Sequence, residues 1–275
     1  MKICEGCFHN CHLDEGQDGF CHARGCRNSE IVSLNYGRFT ALALDPIEKK
    51  PLRRFHPGSR ILSVGSFGCN IRCPFCQNYT ISQTDESSSP ETRFLSPEDL
   101  CQLAINLSQT SGNIGVAYTY NEPTVSWEYL TEASRLIHEA GLLNVLVTNG
   151  ELSEQKLDLF LPYMDAMNID LKGFSEDVYR RLGGYLESVL AFIRKSASVC
   201  HVELTSLIVP GYNDSEDDME KECQWIASIS PEIPLHITRY FPRYHEKAAA
   251  TEISLIYRMC DIAGKYLKYV YPGNI

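Results

Sequence analysis

The chain has 275 residues, 44% of them hydrophobic, enough to bury one large core with an appendage rather than two equal domains. Its 35 acidic and 25 basic residues give a formal charge of −10, which argues against a nonspecific phosphate-binding face and hence against a nucleic-acid partner. No long apolar run occurs, and cysteines stand in the opening MKICEGC where a signal peptide needs its apolar segment, so a cytoplasmic protein without membrane contact is expected.

Twelve cysteines in a small secreted domain would mean disulfides. In a chain of enzyme size, with seven of them in two tight sets, they point to metal or cluster binding. The first set opens the chain: Cys4, Cys7, Cys11 and Cys21, with Cys26 behind them and His9, His12 and His22 interleaved. Four thiolates at this density, with Gly6, Gly16 and Gly19 for tight turns, suit a structural zinc site. The segment carries little apolar content before Ile31, so a metal is also what it needs to hold a fold. A second iron–sulfur cluster that relays electrons or binds substrate is the alternative, and one histidine can replace a thiolate. Residues 1–45 are read as this Cys-rich segment and 46–275 as the main domain.

From about residue 60 strands alternate with helices. A short buried strand is predicted over 60–66 (RILSVGS), and the second cysteine set follows it: Cys69, Cys73 and Cys76, in the pattern C-x3-C-x2-C. Three thiols can bind three corners of an iron–sulfur cube and leave the fourth iron open, whereas electron-transfer clusters of this type use four. Gly68 before the first cysteine and Phe75 before the third fit a tight loop pressed against a flat cofactor. Zinc completed by a distant Cys or His is the competing reading. Residues 85–91 (DESSSPE) read as a polar loop.

Ser96-Pro97-Glu98-Asp99 opens a helix, with a capping serine, proline in the first turn and acids at the positive dipole end. Leu100, Leu103, Ala104 and Leu107 then share one face. Further strands are predicted over 114–120, 144–147, 166–171, 201–209 and 235–240, and further helices over 124–140, 153–160, 176–182, 185–196, 215–229 and 253–266. Six strands alternating with helices imply βαβ crossovers and a parallel sheet, either doubly wound or closed toward a barrel. In both, the active site lies at the carboxyl ends of the strands. Polar or turn-forming groups follow all six: the cysteine loop, Asn121-Glu122-Pro123, Thr148-Asn149-Gly150, Asp170 with Lys172, Pro210-Gly211, and Arg239. Each alone suits a turn; six together point to a site.

The three-cysteine spacing resembles the signature of the radical SAM enzymes. That resemblance implies that S-adenosylmethionine (SAM) chelates the open iron of a [4Fe–4S] cluster. Reductive cleavage of its S–C5′ bond would then release a 5′-deoxyadenosyl radical that abstracts hydrogen. Residues 118–124 (YTYNEPT) occupy the place of the Gly-Gly-Glu-Pro motif of these enzymes, in which the Glu holds the methionine ammonium; Glu122 keeps the carboxylate. Tyr120 and Asn121 replace the two glycines, and a positive φ is expected to be harder at Tyr120 than at Asn121.

Residues 167–172 (MNIDLK) resemble a segment of glycyl-radical-enzyme activases, which assigns a ribose hydroxyl to Asp170 and the cofactor carboxylate to Lys172. Being one residue apart, both point to one side of a strand. They would equally form a simple structural ion pair. Residues 147–150 (VTNG), with Asn149, and 207–214 (LIVPGYND) are also similar to activase segments, and Leu207 would wall the adenine. Phe75, Asn121, Glu122, Asn149, Asp170, Lys172 and Leu207 make up the expected cofactor set.

Longer matches, 45–51 (DPIEKKP), 63–70 (SVGSFGCN), 75–78 (FCQN), 118–124 and 166–172, resemble the AmmeMemoRadiSam-system radical SAM enzymes, often named pyruvate formate-lyase activating enzyme homologues. The resemblance covers nearly the whole chain. It implies an α/β fold, a (β/α)6 partial TIM-type barrel behind the Cys-rich segment, and an oxidoreductase served by a flavodoxin or ferredoxin. The substrate would be a small molecule or a protein glycine. The alternative is a zinc- or Fe–S-binding interaction module without SAM chemistry.

Overall fold

Eight strands form one sheet: β1 (Ala41–Pro46), β2 (Arg60–Gly65), β3 (Asn113–Tyr118), β4 (Leu143–Thr148), β5 (Ala166–Asp170), β6 (His201–Ile208), β7 (Leu235–Arg239) and β8 (Val270–Gly273). In the computed structural model, which describes residues 1–85, 87–88 and 91–275, each strand pairs with its sequence neighbours, in the order β1 to β8. Every pairing is parallel except β1 with β2. The inner strands are aliphatic and buried almost end to end, as strands covered on both faces must be. The helices are α1 (Pro97–Ser111), α2 (Trp127–Glu139), α3 (Glu154–Phe160), α4 (Glu176–Leu182), α5 (Leu186–Ala197), α6 (Glu216–Ile229) and α7 (Ile253–Ala263).

A sheet wound in one direction has no point where the strand order reverses, and that reversal defines a doubly wound fold. The winding is that of a barrel. Groups following β2 at one side and β8 at the other line a single cavity, so the sheet curls around it. The six strands predicted from the sequence are all in this sheet, which adds β1 and β8 at its edges. The start of α1 is as expected: the Ser96 side chain accepts from Asp99 N and the Asp99 side chain from Ser96 N, closing a capping box.

Residues 47–56 fill the end of the curled sheet at the amino ends of the strands. Ile47 and Leu52 are fully buried and pack with Ile61, Ala117, Val145 and Ala166. Glu203, on β6, fixes this plug: its carboxylate accepts from Arg53 N at 3.0 Å and Arg54 N at 2.7 Å, and it meets the rings of His201 and His236 at 3.0 and 2.6 Å. Burial opposes its charge, but these four partners prevail and hold its pKa down to about 2.

The Cys-rich segment forms two small antiparallel pairs, Lys2–Cys4 with Cys11–Leu13 and Arg24–Arg27 with Glu30–Ser33. It shares the main core, to which Cys4 and Phe39 belong. Gly6 lies so close to Trp127 that an added Cβ would come within 2.3 Å of the indole. The boundary expected at 45/46 falls inside β1, a strand of the main sheet. Of the polar loop expected at 85–91, residues 86, 89 and 90 lie outside the described residues; Asp85 accepts from the backbone and hydroxyls of Ser87 and Ser88. Among the described residues no helix is long and apolar enough to cross a membrane.

One buried acid makes the fold pH-sensitive. Glu222, on α6, has among the described residues only the Ser206 hydroxyl as a hydrogen-bond donor, and burial pushes its pKa up from 4.5 to about 8. The stability tied to its protonated form is fully present below pH 4.5 and is lost as pH rises through about 8. Glu222→Gln has no proton to lose there. Its melting temperature should gain on that of the wild type as pH rises from 5 to 8, and parallel pH curves for the two proteins would refute the assignment.

Candidate active site

The cysteine loop leaves β2 at Gly65 and has no regular structure except one helical turn at Tyr79–Ser82. Hydrogen bonds to distant backbone replace it: Gly68 N to Ile81 O at 2.9 Å, Cys69 N to Cys21 O at 3.1 Å and Arg72 N to Leu182 O at 2.6 Å. Gly68 has φ +88°, and a Cβ there would lie 2.6 Å from Ala23 Cβ and from Cys21 O. No other residue fits.

Cys69 and Cys73 are buried and Cys76 half-buried. Burial pushes both buried thiols up, Cys73 to about 12. Donors nevertheless face each sulfur. Asn149 Nδ2 is 3.5 Å from Cys69 Sγ, Ser82 Oγ is 3.1 Å from Cys76 Sγ, and the Lys172 ammonium favours the thiolate of Cys73. Buried thiols met by donors are fitted to be thiolates, the state in which cysteine binds metal. Among the described residues no three His, Cys, Asp or Glu side chains already converge on one ion position; the thiols line a space.

That space is a cavity of about 400 Å³, within the size range of cofactor sites. It takes groups from the carboxyl end of every strand from β2 to β7, with Asn274 after β8 and Lys49 and Pro51 of the plug. All the residues expected to contact the cofactor or the cluster lie on it. Asp170 and Lys172 pair at 2.9 Å. Burial works against the Lys172 charge, but Asp170 and Cys73 outweigh it and raise its pKa. Phe75 meets Tyr212 and Tyr240 edge-on and packs with Leu207. Sequence reasoning missed Ser82, Thr205, Thr238 and Asn274, which also line the cavity; single hydroxyls and amides leave no pattern in a sequence. Arg239 turns to Thr251 O at 2.7 Å, and His245 reaches the cysteine loop through its backbone, N to Pro74 O at 2.8 Å.

The loop after β3 departs from expectation in one respect. Tyr120 itself takes the positive φ, +74°. Its hydroxyl donates to Asp45 Oδ2 at 2.6 Å, and the Lys50 ammonium stands 4.7 Å from its ring. Asn121 instead spends its side chain on the cysteine loop, accepting from Ser66 N at 2.9 Å and donating to Phe67 O and Gly68 O at 3.1 and 3.2 Å. Glu122 is buried, and its Oε1 accepts from Thr124 N, Thr124 Oγ1 and Thr148 Oγ1 and its Oε2 from Asn149 N, at 2.7–3.1 Å. Oε2 retains capacity for one more donor.

The model of the Radical SAM superfamily matches residues 63–226, more than half of the chain. The chain belongs to the radical SAM superfamily. Uncharacterized protein MJ0808 of Methanocaldococcus jannaschii is 38% identical over 277 residues, 99% of this chain and 81% of that protein. The pyruvate formate-lyase-activating enzyme of Staphylococcus aureus is 24% identical over 181 residues, 63% of this chain and 71% of that one. Among solved structures, Streptococcus suis SuiB bound to S-adenosylmethionine superposes with a TM-score of 0.60 at 11% identity, over 78% of this chain and 52% of that one, a likeness of fold.

Membership implies a [4Fe–4S] cluster and SAM. The donor set fits both: three thiols met by donors, beside a cavity with two ammoniums, two carboxylates and an apolar wall. In this radical SAM chain the departure at Tyr120 is offset by its bond to Asp45, whose carboxyl is held well below the usual range, against its burial, by Tyr120, Lys50 and Lys49. Tyr120→Phe removes a hydrogen bond to a charged acceptor and should lower stability by about 1.5–3 kcal/mol. An unchanged urea midpoint would show that the bond does not hold the loop.

Proposed function

We propose that this radical SAM enzyme reductively cleaves SAM at a cluster held by Cys69, Cys73 and Cys76 and uses the resulting radical to abstract hydrogen from its substrate. The observation that carries the reading is the convergence of the three thiols, Glu122, Asn149, Asp170 and Lys172 on one cavity at the strand ends. When bound, the cluster supplies the electron that breaks the sulfonium bond. The chain's own residues bind and orient. Asp170 offers its carboxylate to ribose hydroxyls, Lys172 its ammonium to the methionine carboxylate, and Glu122 the remaining lone pair of Oε2 to the methionine ammonium. Leu207 and Phe75 supply the apolar wall.

Within the superfamily we assign the chain to the AmmeMemoRadiSam-system enzymes, on the segments at 45–51 and 118–124, which touch through Asp45 and Tyr120. The hydrogen donor is a small molecule or a protein glycine, the latter in keeping with similarity to an enzyme that activates another protein, and a flavodoxin or ferredoxin in the cytoplasm would supply the electron.

Electron paramagnetic resonance of the dithionite-reduced protein, purified without oxygen, tests the class. Adding SAM should change the reduced-cluster signal, and 5′-deoxyadenosine should accumulate. Cys73→Ala should abolish that product and Lys172→Ala should weaken SAM binding. A signal indifferent to SAM, or cleavage retained in Cys73→Ala, would return the chain to the reading of a metal-binding interaction module.

A further inference from the structure

A second cavity touches the cysteine loop at Asn70, and it is small, about 20 Å³. Its walls carry Cys4, Cys7, Cys11 and Cys21. Cys4 and Cys11 face each other across the first strand pair; Cys7 and Cys21 come from the turns at residues 7–10 and 19–22. Backbone N–H groups point at three of the four sulfurs: His9 at Cys7, Ala23 at Cys21, and Phe20 at Cys11, the last at 3.5 Å. The first two follow the cysteine by two residues, as Ile71 follows Cys69 in the cluster loop. Cys26 faces Glu15 instead and does not line the cavity.

A cation stands at the wall. The Arg24 side chain is 4% exposed, lies against Cys4 and stacks 3.4 Å from the Trp127 ring. Glu128 takes its two terminal nitrogens at 2.8 and 2.7 Å, but Nε is buried without a hydrogen-bond partner among the described residues. An unpaired donor beside four thiols fits a site that becomes anionic, and four thiolates on a divalent cation carry a net charge of −2. The space favours the smaller of the two metal groups. A volume of about 20 Å³ holds roughly one water-sized sphere, room for a single ion and far too little for a four-iron cube. The sulfurs surround this space without yet meeting at one point, so they turn inward on binding.

The segment also grips the cluster loop. Cys21 O accepts from Cys69 N at 3.1 Å, His9 Nε2 meets Asn70 O at 2.9 Å, and Arg72 donates to Phe20 O and stacks on its ring. We propose that Cys4, Cys7, Cys11 and Cys21 bind one zinc ion as a tetrahedral thiolate site, and that its occupancy holds the loop that carries Cys69.

The inference does not depend on SAM chemistry and is tested apart from it. Full-length Cys69→Ala/Cys73→Ala/Cys76→Ala, with its first cysteine set intact, should retain about one zinc per chain and no iron by elemental analysis. Cobalt(II) added to the zinc-free form of this variant should give the intense visible bands of tetrahedral thiolate coordination. Cys7→Ser/Cys21→Ser should lose the zinc and load less iron at the other set. Iron in the triple variant would overturn the proposal in favour of a second cluster. Absence of the cobalt bands, or zinc retained in the double variant, would overturn it outright. Normal iron loading in a zinc-free double variant would overturn the bracing role.

Discussion

The carboxylate of Glu122 is buried at the cavity wall, and the geometry of the site depends on how it is satisfied. Burial pushes its pKa up while four hydrogen bonds push back, and removing partners from a buried charge costs several kcal/mol. Those bonds run to the loops that follow β3 and β4, so the two strand ends move as one piece. Asn149 gains most: its backbone is held by Glu122, and its side chain is thereby aimed at Asn70 and Cys69. A loop without regular structure is placed by side-chain chemistry at this one point.

The two ends of the curled sheet use the same device with different groups. At the amino ends, Glu203 anchors the plug through two backbone N–H groups and two histidines. Nearer the cavity, Asp45 collects Lys49, Lys50 and Tyr120. Lys50 is 2% exposed, a burial that lysine tolerates only when paired. Because the Tyr120 hydroxyl is the third partner, the plug and the loop after β3 are one hydrogen-bonded unit. This gives the segments at 45–51 and 118–124 a shared physical reason to be unusual.

Much of this was legible in the sequence, for identifiable reasons. Strands buried on both faces read as aliphatic runs, and the carboxyl-end rule then points to the residues that line the cavity. What escaped was what tertiary contact decides. β8 reads VYPG, and Pro and Gly argue against a strand; it survives as the sheet edge, where proline is tolerated. β1 has an ambiguous pattern and owes its place to pairing with β2. Local propensity made a positive φ less expected at Tyr120 than at Asn121, because nothing local reports that a tyrosine hydroxyl will meet Asp45 75 residues away. The Cys-rich segment read as separate because its bond to the main core runs through Trp127 and Arg24, far from the cysteines in type.

Cys69, Cys73 and Cys76 are surrounded unequally, and that inequality would bear on the redox behaviour of a cluster they held. Cys69 faces an amide, Cys76 a hydroxyl and Cys73 an ammonium, while the buried carboxylate of Glu122 works against negative charge on Cys69. Hydrogen bonds and positive charge at sulfur favour the reduced, more negative state, and a nearby carboxylate disfavours it. Lys172 stands between two claims: it pairs with Asp170 and lies beside Cys73. A ligand carboxylate that drew Lys172 toward itself would weaken its hold on Cys73 and make the reduced state harder to reach. If Lys172 takes a cofactor carboxylate as proposed, it is also the residue through which that binding would be felt at Cys73.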